Sequence, residues 1–171
     1  MTSSSTSTPA RIRVLHALPL GSGGGFRYPA GVAPMQPAKP KILVVDDDHA
    51  NLKTFRIVFR ANYDATLALS GDQALAELAA ETFDVALVDY AMSGMNGLEL
   101  LVRMQQAHPE VGRVMVTGYP DHQELTEAAR CGVAAAVVMK PWDRDDLQRT
   151  LDEQVRIARA RRAGVDGREA S

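Results

Sequence analysis

The 171 residues contain a single cysteine, Cys131, so no disulfide can form within the chain. That fits a reducing compartment. No apolar run approaches the roughly 20 residues needed to span a bilayer. Arg11 and Arg13 precede only a short apolar patch, Val14 to Leu20, broken by His16 and Pro19, which is not the pattern of a secretory signal. A cytoplasmic protein without a membrane role is expected. Neither sign of charge dominates. Nineteen basic and 21 acidic residues leave a formal net charge of -2, and nothing in that balance favours nucleic acid or an anionic membrane. Histidines are few, and none has a cysteine or a second histidine at metal-ligand spacing. His49, His108 and His122 read as surface residues, and His16 falls in a tail. Cys131 reads as a small core residue.

What is present falls into two unequal parts. Residues 1–39 carry a Ser/Thr tract, then Gly21, Gly23, Gly24 and Gly25, then Pro29, Pro34 and Pro37. That density of glycine and proline predicts an unpacked, disordered tail. Met35 is a second candidate for the natural start. From Lys41 onward, short apolar runs alternate with helical patterns. Ile42 to Val45 is a buried strand ending at Asp46, Asp47 and Asp48. Leu52, Phe55, Val58 and Phe59 follow at helical spacing. A strand at Ala65 to Leu69 leads to a Ser70/Gln73 capping box and a helix through Ala74, Leu75, Leu78 and Ala79. A third strand, Val85 to Val88, ends at Asp89. A loop with Ser93, Gly94 and Gly97 precedes a helix carrying Leu98, Leu101, Val102 and Met104, with Pro109 beyond it.

The fourth strand, Arg113 to Val116, ends at Thr117. Asp121 and Glu124 then mark a helix that Gly132 terminates. The fifth strand, Ala135 to Met139, ends at Lys140. Asp143 caps a last helix, with Asp145 and Asp146 in its first turn. Five strand–helix units of this kind specify an α/β fold, a parallel sheet covered on both faces and doubly wound. In such folds the site lies beyond the carboxyl ends of the strands.

Those ends are chemically unusual. Asp46, Asp47, Asp89, Thr117 and Lys140 all terminate strands, so one edge of the sheet gathers three carboxylates, a hydroxyl and an ammonium. Three neighbouring carboxylates repel one another. A hard divalent cation relieves that repulsion, and magnesium suits oxygen ligands, here the aspartates with the backbone carbonyl of Ala91. Asp89 beside the cation is a candidate carboxylate nucleophile toward phosphorus. Magnesium and Lys140 supply positive charge to the phosphoryl oxygens, and Thr117 supplies a hydrogen bond.

The runs Lys41-Ile42-Leu43-Val44-Val45-Asp46-Asp47-Asp48, Val88-Asp89-Tyr90-Ala91-Met92, Val116-Thr117-Gly118 and Met139-Lys140-Pro141 closely resemble the receiver domain of response regulators, over roughly residues 40 to 155. The resemblance implies a flavodoxin-like (βα)5 sheet of strand order 2-1-3-4-5. It implies that Asp46 and Asp47 hold Mg2+ and that Asp89 accepts the phosphoryl group. It implies a Thr117 that swings toward the phosphate, a Lys140 that contacts it, and a cis Lys140-Pro141 bond. The donor would be a sensor histidine kinase or phosphotransfer protein, and the output a downstream target protein read on the face of the fourth helix, fifth strand and fifth helix, with homodimerisation on phosphorylation as one form of response.

Three positions depart from the common family pattern. Ser93 replaces a proline and Asn96 an aspartate, which is expected to loosen the loop after Asp89. Val137 replaces the aromatic residue that often couples to the threonine. Tyr119, two residues after Thr117, and Ala91, two after Asp89, should flank the phosphate, and a tyrosine there would slow its hydrolysis. Asp48 reads as a helix cap, and Trp142 as packing at the rim of the site.

The stripe Leu147, Leu151, Val155, Ala158 and the arginines 156, 159, 161 and 162 predict a long last helix with a solvated basic face. Residues 156–171 are read as a basic helix extension and tail, leaving no room for a second folded domain. A stand-alone, non-enzymatic receiver is therefore expected, without direct nucleic-acid binding. Two other readings remain open. One is a phosphorylation-independent binding module on the same fold. The other is a small aspartyl-phosphate phosphatase, a class that usually has a second aspartate where this chain has Ala91.

Overall fold

A computed structural model describes residues 38–119 and 123–166. The expectations for the N-terminal tail, for Asp121 and His122, and for residues 167–171 lie outside the described residues. Ten elements alternate: β1 Lys41–Val45, α1 His49–Phe59, β2 Asp64–Ala68, α2 Gly71–Ala80, β3 Val85–Asp89, α3 Gly97–Ala107, β4 Gly112–Thr117, α4 Gln123–Arg130, β5 Ala136–Met139 and α5 Arg144–Asp166. All neighbouring strands pair in parallel, in the order β2-β1-β3-β4-β5. This is the doubly wound sheet that the alternation predicted.

The central strands β1, β3 and β4 are almost wholly buried because helices cover both faces, which is why their sequences are continuous apolar runs rather than alternating ones. One face packs Leu43, Val45, Ala86, Val88 and Met115 against α2, α3 and α4 residues such as Leu78, Leu101 and Leu125. The other packs Ile42, Val44, Leu87 and Val114 against Phe55 and Phe59 of α1 and Leu147 and Leu151 of α5.

The helix ends follow their caps. Asp48 caps α1, its side chain accepting from the Ala50 N–H. Ser70 caps α2, but Gln73 reaches back to the Leu69 N–H rather than to Ser70, so the box closes one residue early. Asp143 accepts from the Asp145 and Asp146 N–H groups at the start of α5. Gly132, at φ +70°, ends α4 in the left-handed conformation that glycine adopts without strain.

Several expectations are corrected. Cys131 is exposed, not a core residue, and its thiol lies 3.1 Å from Glu127 Oε1. Val102 and Ala79 also face outward; the third helix buries Leu101 and Met104 as expected and Leu100 besides, with Leu98 packed against the same core. His108 is half-buried beside Glu110, whereas His49 is exposed as expected. The apolar stripe of α5 is spent on the domain's own core, with Leu147, Leu151 and Ala158 fully buried. Its basic face is only partly solvated: Arg156 pairs with Glu153, but Arg159 and Arg162 both fold onto the buried Asp84.

Candidate phosphoacceptor site

Sheet register assembles the site. Val45 lies opposite Val88, so Asp46 emerges beside Asp89. Asp89 lies opposite Val116, and Thr117 opposite Met139, so Thr117 and Lys140 follow along the same edge. Ligand oxygens of Asp46, Asp47 and Asp89 fall within 4.8 Å of one another. Lys140 Nζ lies 2.9 Å from Asp89 Oδ1 and 3.1 Å from Asp46 Oδ2. The Lys140-Pro141 peptide is cis, as expected.

Each acid is held differently. Asp46 is buried, and its carboxylate accepts from the Asp48 N–H at 2.8 Å and the Asn51 amide at 2.9 Å, besides Lys140. Asp47 is exposed and accepts from both the N–H and the hydroxyl of Ser93, at 2.9 and 3.0 Å. Those two bonds, the N–H first, hold its carboxyl below the usual range. Asp89 is buried, and its carboxyl is pushed up by desolvation and by the charges of Asp46 and Asp47, with Lys140 opposing them. Burial works against the Lys140 ammonium, but its bonds to Asp89 and Asp46 outweigh this and keep it firmly charged.

Thr117 is buried, and its Oγ1 accepts from the Tyr119 N–H at 3.0 Å, so in this conformation the hydroxyl is engaged within its own turn. The backbone N–H of Lys140 donates to the Thr117 carbonyl at 2.7 Å, joining the ends of β4 and β5. Tyr119 is 59% exposed. Trp142 packs its ring 5.9 Å from that of Phe59 and lines the pocket containing Asp46, Asp89 and Lys140. The Tyr90 hydroxyl, next in sequence to Asp89, lies 3.1 Å from Glu124 in α4.

The loop after Asp89 is not loosened by its departures from the family pattern. Ser93 pins it to Asp47, and Asn96 forms a full capping box with Glu99 at the start of α3. Gly97 closes it from below: a Cβ there would lie 2.2 Å from the Asp89 carbonyl oxygen. Asn51, Ser93 and Gly97 were not singled out for the site from sequence. Asn51 sits five residues after Asp46, in the first turn of α1, and that spacing is the only signal that could have exposed it.

The donor set fits magnesium: three carboxylates converge, all donors are oxygen, and no histidine or cysteine joins the cluster among the described residues. A parallel five-stranded sheet with an acidic triad and a lysine at its carboxyl edge defines a receiver-type signalling module.

The comparisons name the same class. The family model for the response regulator receiver domain matches residues 42–152, and the chain belongs to that family. It is 33% identical over 134 residues to the transcriptional regulatory protein ZraR of Salmonella typhimurium, covering 78% of this chain and 30% of that protein. Among solved structures, the CheY-like response regulator receiver domain protein of Methanospirillum hungatei superposes with a TM-score of 0.68 at 30% identity, over 72% of this chain and 99% of that one. The adenylate cyclase structure from Rhodopirellula baltica gives 0.74 at 25% identity, over 78% and 99%. The chain therefore spans about a third of the curated relative it matches. It is a receiver domain of two-component signalling, and no helix among the described residues is long and apolar enough to cross a membrane.

Proposed function

We propose that Asp89 accepts a phosphoryl group from a phosphohistidine on a sensor kinase or phosphotransfer protein, and that the phosphorylated domain signals through a downstream protein. The observation that carries this reading is the bridging of Asp89 and Asp46 by Lys140 within an acidic triad. Asp46, Asp47, Asp89 and the Ala91 carbonyl would hold Mg2+. When bound, the cation would supply charge neutralisation to the triad and to phosphoryl oxygens.

The chain's own residues do the rest. An oxygen of Asp89 forms the new bond to phosphorus as the bond to the donor nitrogen breaks, and the imidazole leaves with the electron pair. Lys140 is already within hydrogen-bond reach of Asp89 and can follow the charge onto the phosphoryl oxygens. Thr117 donates to the phosphoryl group by exchanging its bond with the Tyr119 backbone for one inward. That exchange biases a two-state equilibrium read on the α4–β5–α5 face. Tyr90, bonded to Glu124, supplies a contact between the acceptor strand and α4 where β5 carries Val137 instead of an aromatic residue.

The test is incubation with acetyl phosphate and Mg2+ followed by intact-mass spectrometry. Wild type should gain one phosphoryl group, and Asp89→Asn or chelation of magnesium should abolish the gain. A gain that persists in Asp89→Asn would overturn the assignment.

A further inference from the structure

Ser93 stands in the loop between β3 and α3, and both of its donors reach one oxygen. Its N–H and its hydroxyl lie 2.9 and 3.0 Å from Asp47 Oδ2. The family's common proline at this position has neither an N–H nor a hydroxyl to give. The two bonds matter because Asp47 is exposed, whereas Asp46 beside it is buried and held by the Asp48 N–H, Asn51 and Lys140. An exposed carboxylate is free to rotate unless something fixes it. Gly94 follows at φ +76°, a conformation that turns the chain immediately after Ser93. The bonds span 46 positions of sequence, so they join the loop after β1 to the loop after β3.

We propose that Ser93 is a positioning residue for the cation: it fixes Asp47 through Oδ2 and leaves the other carboxylate oxygen for Mg2+. The proposal rests on Asp46, Asp47 and Asp89 being the magnesium site. Donors that orient a metal ligand commonly change affinity by about 10–100-fold. The arrangement also ties metal occupancy to the loop that carries Ala91, so the ordering of that loop and magnesium binding support each other.

The experiment is calorimetric titration of MgCl2 into the full chain and into Ser93→Ala, Ser93→Thr, Ser93→Pro and Asp47→Asn, with melting curves recorded in EDTA. Ser93→Ala, which loses one donor, should weaken binding about tenfold, and Ser93→Pro, which loses both, should weaken it further. Ser93→Thr, which keeps both donors, should bind as wild type, and Ser93→Ala should still melt in EDTA in one cooperative transition, lowered by no more than the loss of one exposed hydrogen bond. Wild-type affinity in both Ser93→Ala and Ser93→Pro, with Asp47→Asn impaired, would overturn the role of Ser93 and leave the metal site standing. Wild-type affinity in Asp47→Asn would remove the metal reading and this proposal together.

Discussion

Lys140 Nζ lies 2.9 Å from Asp89 Oδ1 and 3.1 Å from Asp46 Oδ2, so one ammonium at the end of β5 joins acids that follow β1 and end β3. Without it, three carboxylates would face one another with no fixed counter-charge. Lys140→Met should therefore lower the yield of phosphorylated protein at least about tenfold, because transition-state charge stabilisation of this kind is worth several kcal/mol. The metal-free variant should be less stable by about 1–3 kcal/mol, the cost of leaving buried charge unpaired. Magnesium should recover part of that loss, and urea unfolding with and without the cation measures both effects.

Gly97 packs against the backbone of Asp89, the proposed acceptor. Its missing Cβ would sit 2.2 Å from the Asp89 carbonyl oxygen, a backbone atom that cannot move without dragging β3. Gly97→Ala should cost about 3 kcal/mol by overpacking. The folded fraction should also accept phosphate more slowly, because Asp89 is displaced. Phosphorylation rates normalised to folded protein would separate the two.

At the opposite end of the sheet, Asp84 is buried and accepts from Arg159, Arg162 and the Lys41 N–H. Burial alone would raise its carboxyl, but the hydrogen bonds and charges prevail and hold it below the usual range. A carboxylate with a depressed folded value contributes stability that is complete above its unfolded value and is lost as pH falls through the folded one. Asp84→Asn should thus cost about 2 kcal/mol at pH 7, since it leaves two guanidinium groups without their counter-charge. Its deficit against wild type should shrink as the solution is acidified below the ordinary aspartate range. A pH series of urea melts would show whether the deficit narrows.

Arg113 is buried at the start of β4, and its guanidinium donates to the carbonyls of Val133, Gly132, Val111 and Pro109. It thereby stitches the α4–β5 loop to the end of the α3–β4 connection. Arg113→Met should lose about 1–2 kcal/mol, because the buried Val111 carbonyl would lose this donor, while the more exposed carbonyls of Val133, Gly132 and Pro109 can turn to water. Lysine should not rescue it, as a point charge cannot reach four acceptors in a fork. Faster amide exchange at residues 132–134 would accompany the loss.

The sequence determined the order of elements, the doubly wound class and which polar side chains share the carboxyl edge of the sheet. Strand-end positions are fixed by chain direction: in a parallel sheet Asp46, Asp89, Thr117 and Lys140 must share an edge, whatever the packing details. Caps such as Asp48 and Asp143 were equally legible, because a cap acts on backbone a few residues away. Tertiary structure decided what depends on partners distant in sequence. Ser93 looked like a loosened loop residue until the fold brought Asp47 to it. Arg159 and Arg162 looked solvated until α5 ran past Asp84. Gly97 looked like a loop glycine until helix α3 pressed against the Asp89 backbone. Local patterns report the short-range physics of hydrogen bonding and burial periodicity, whereas these contacts exist only because the sheet sets the register between segments dozens of residues apart.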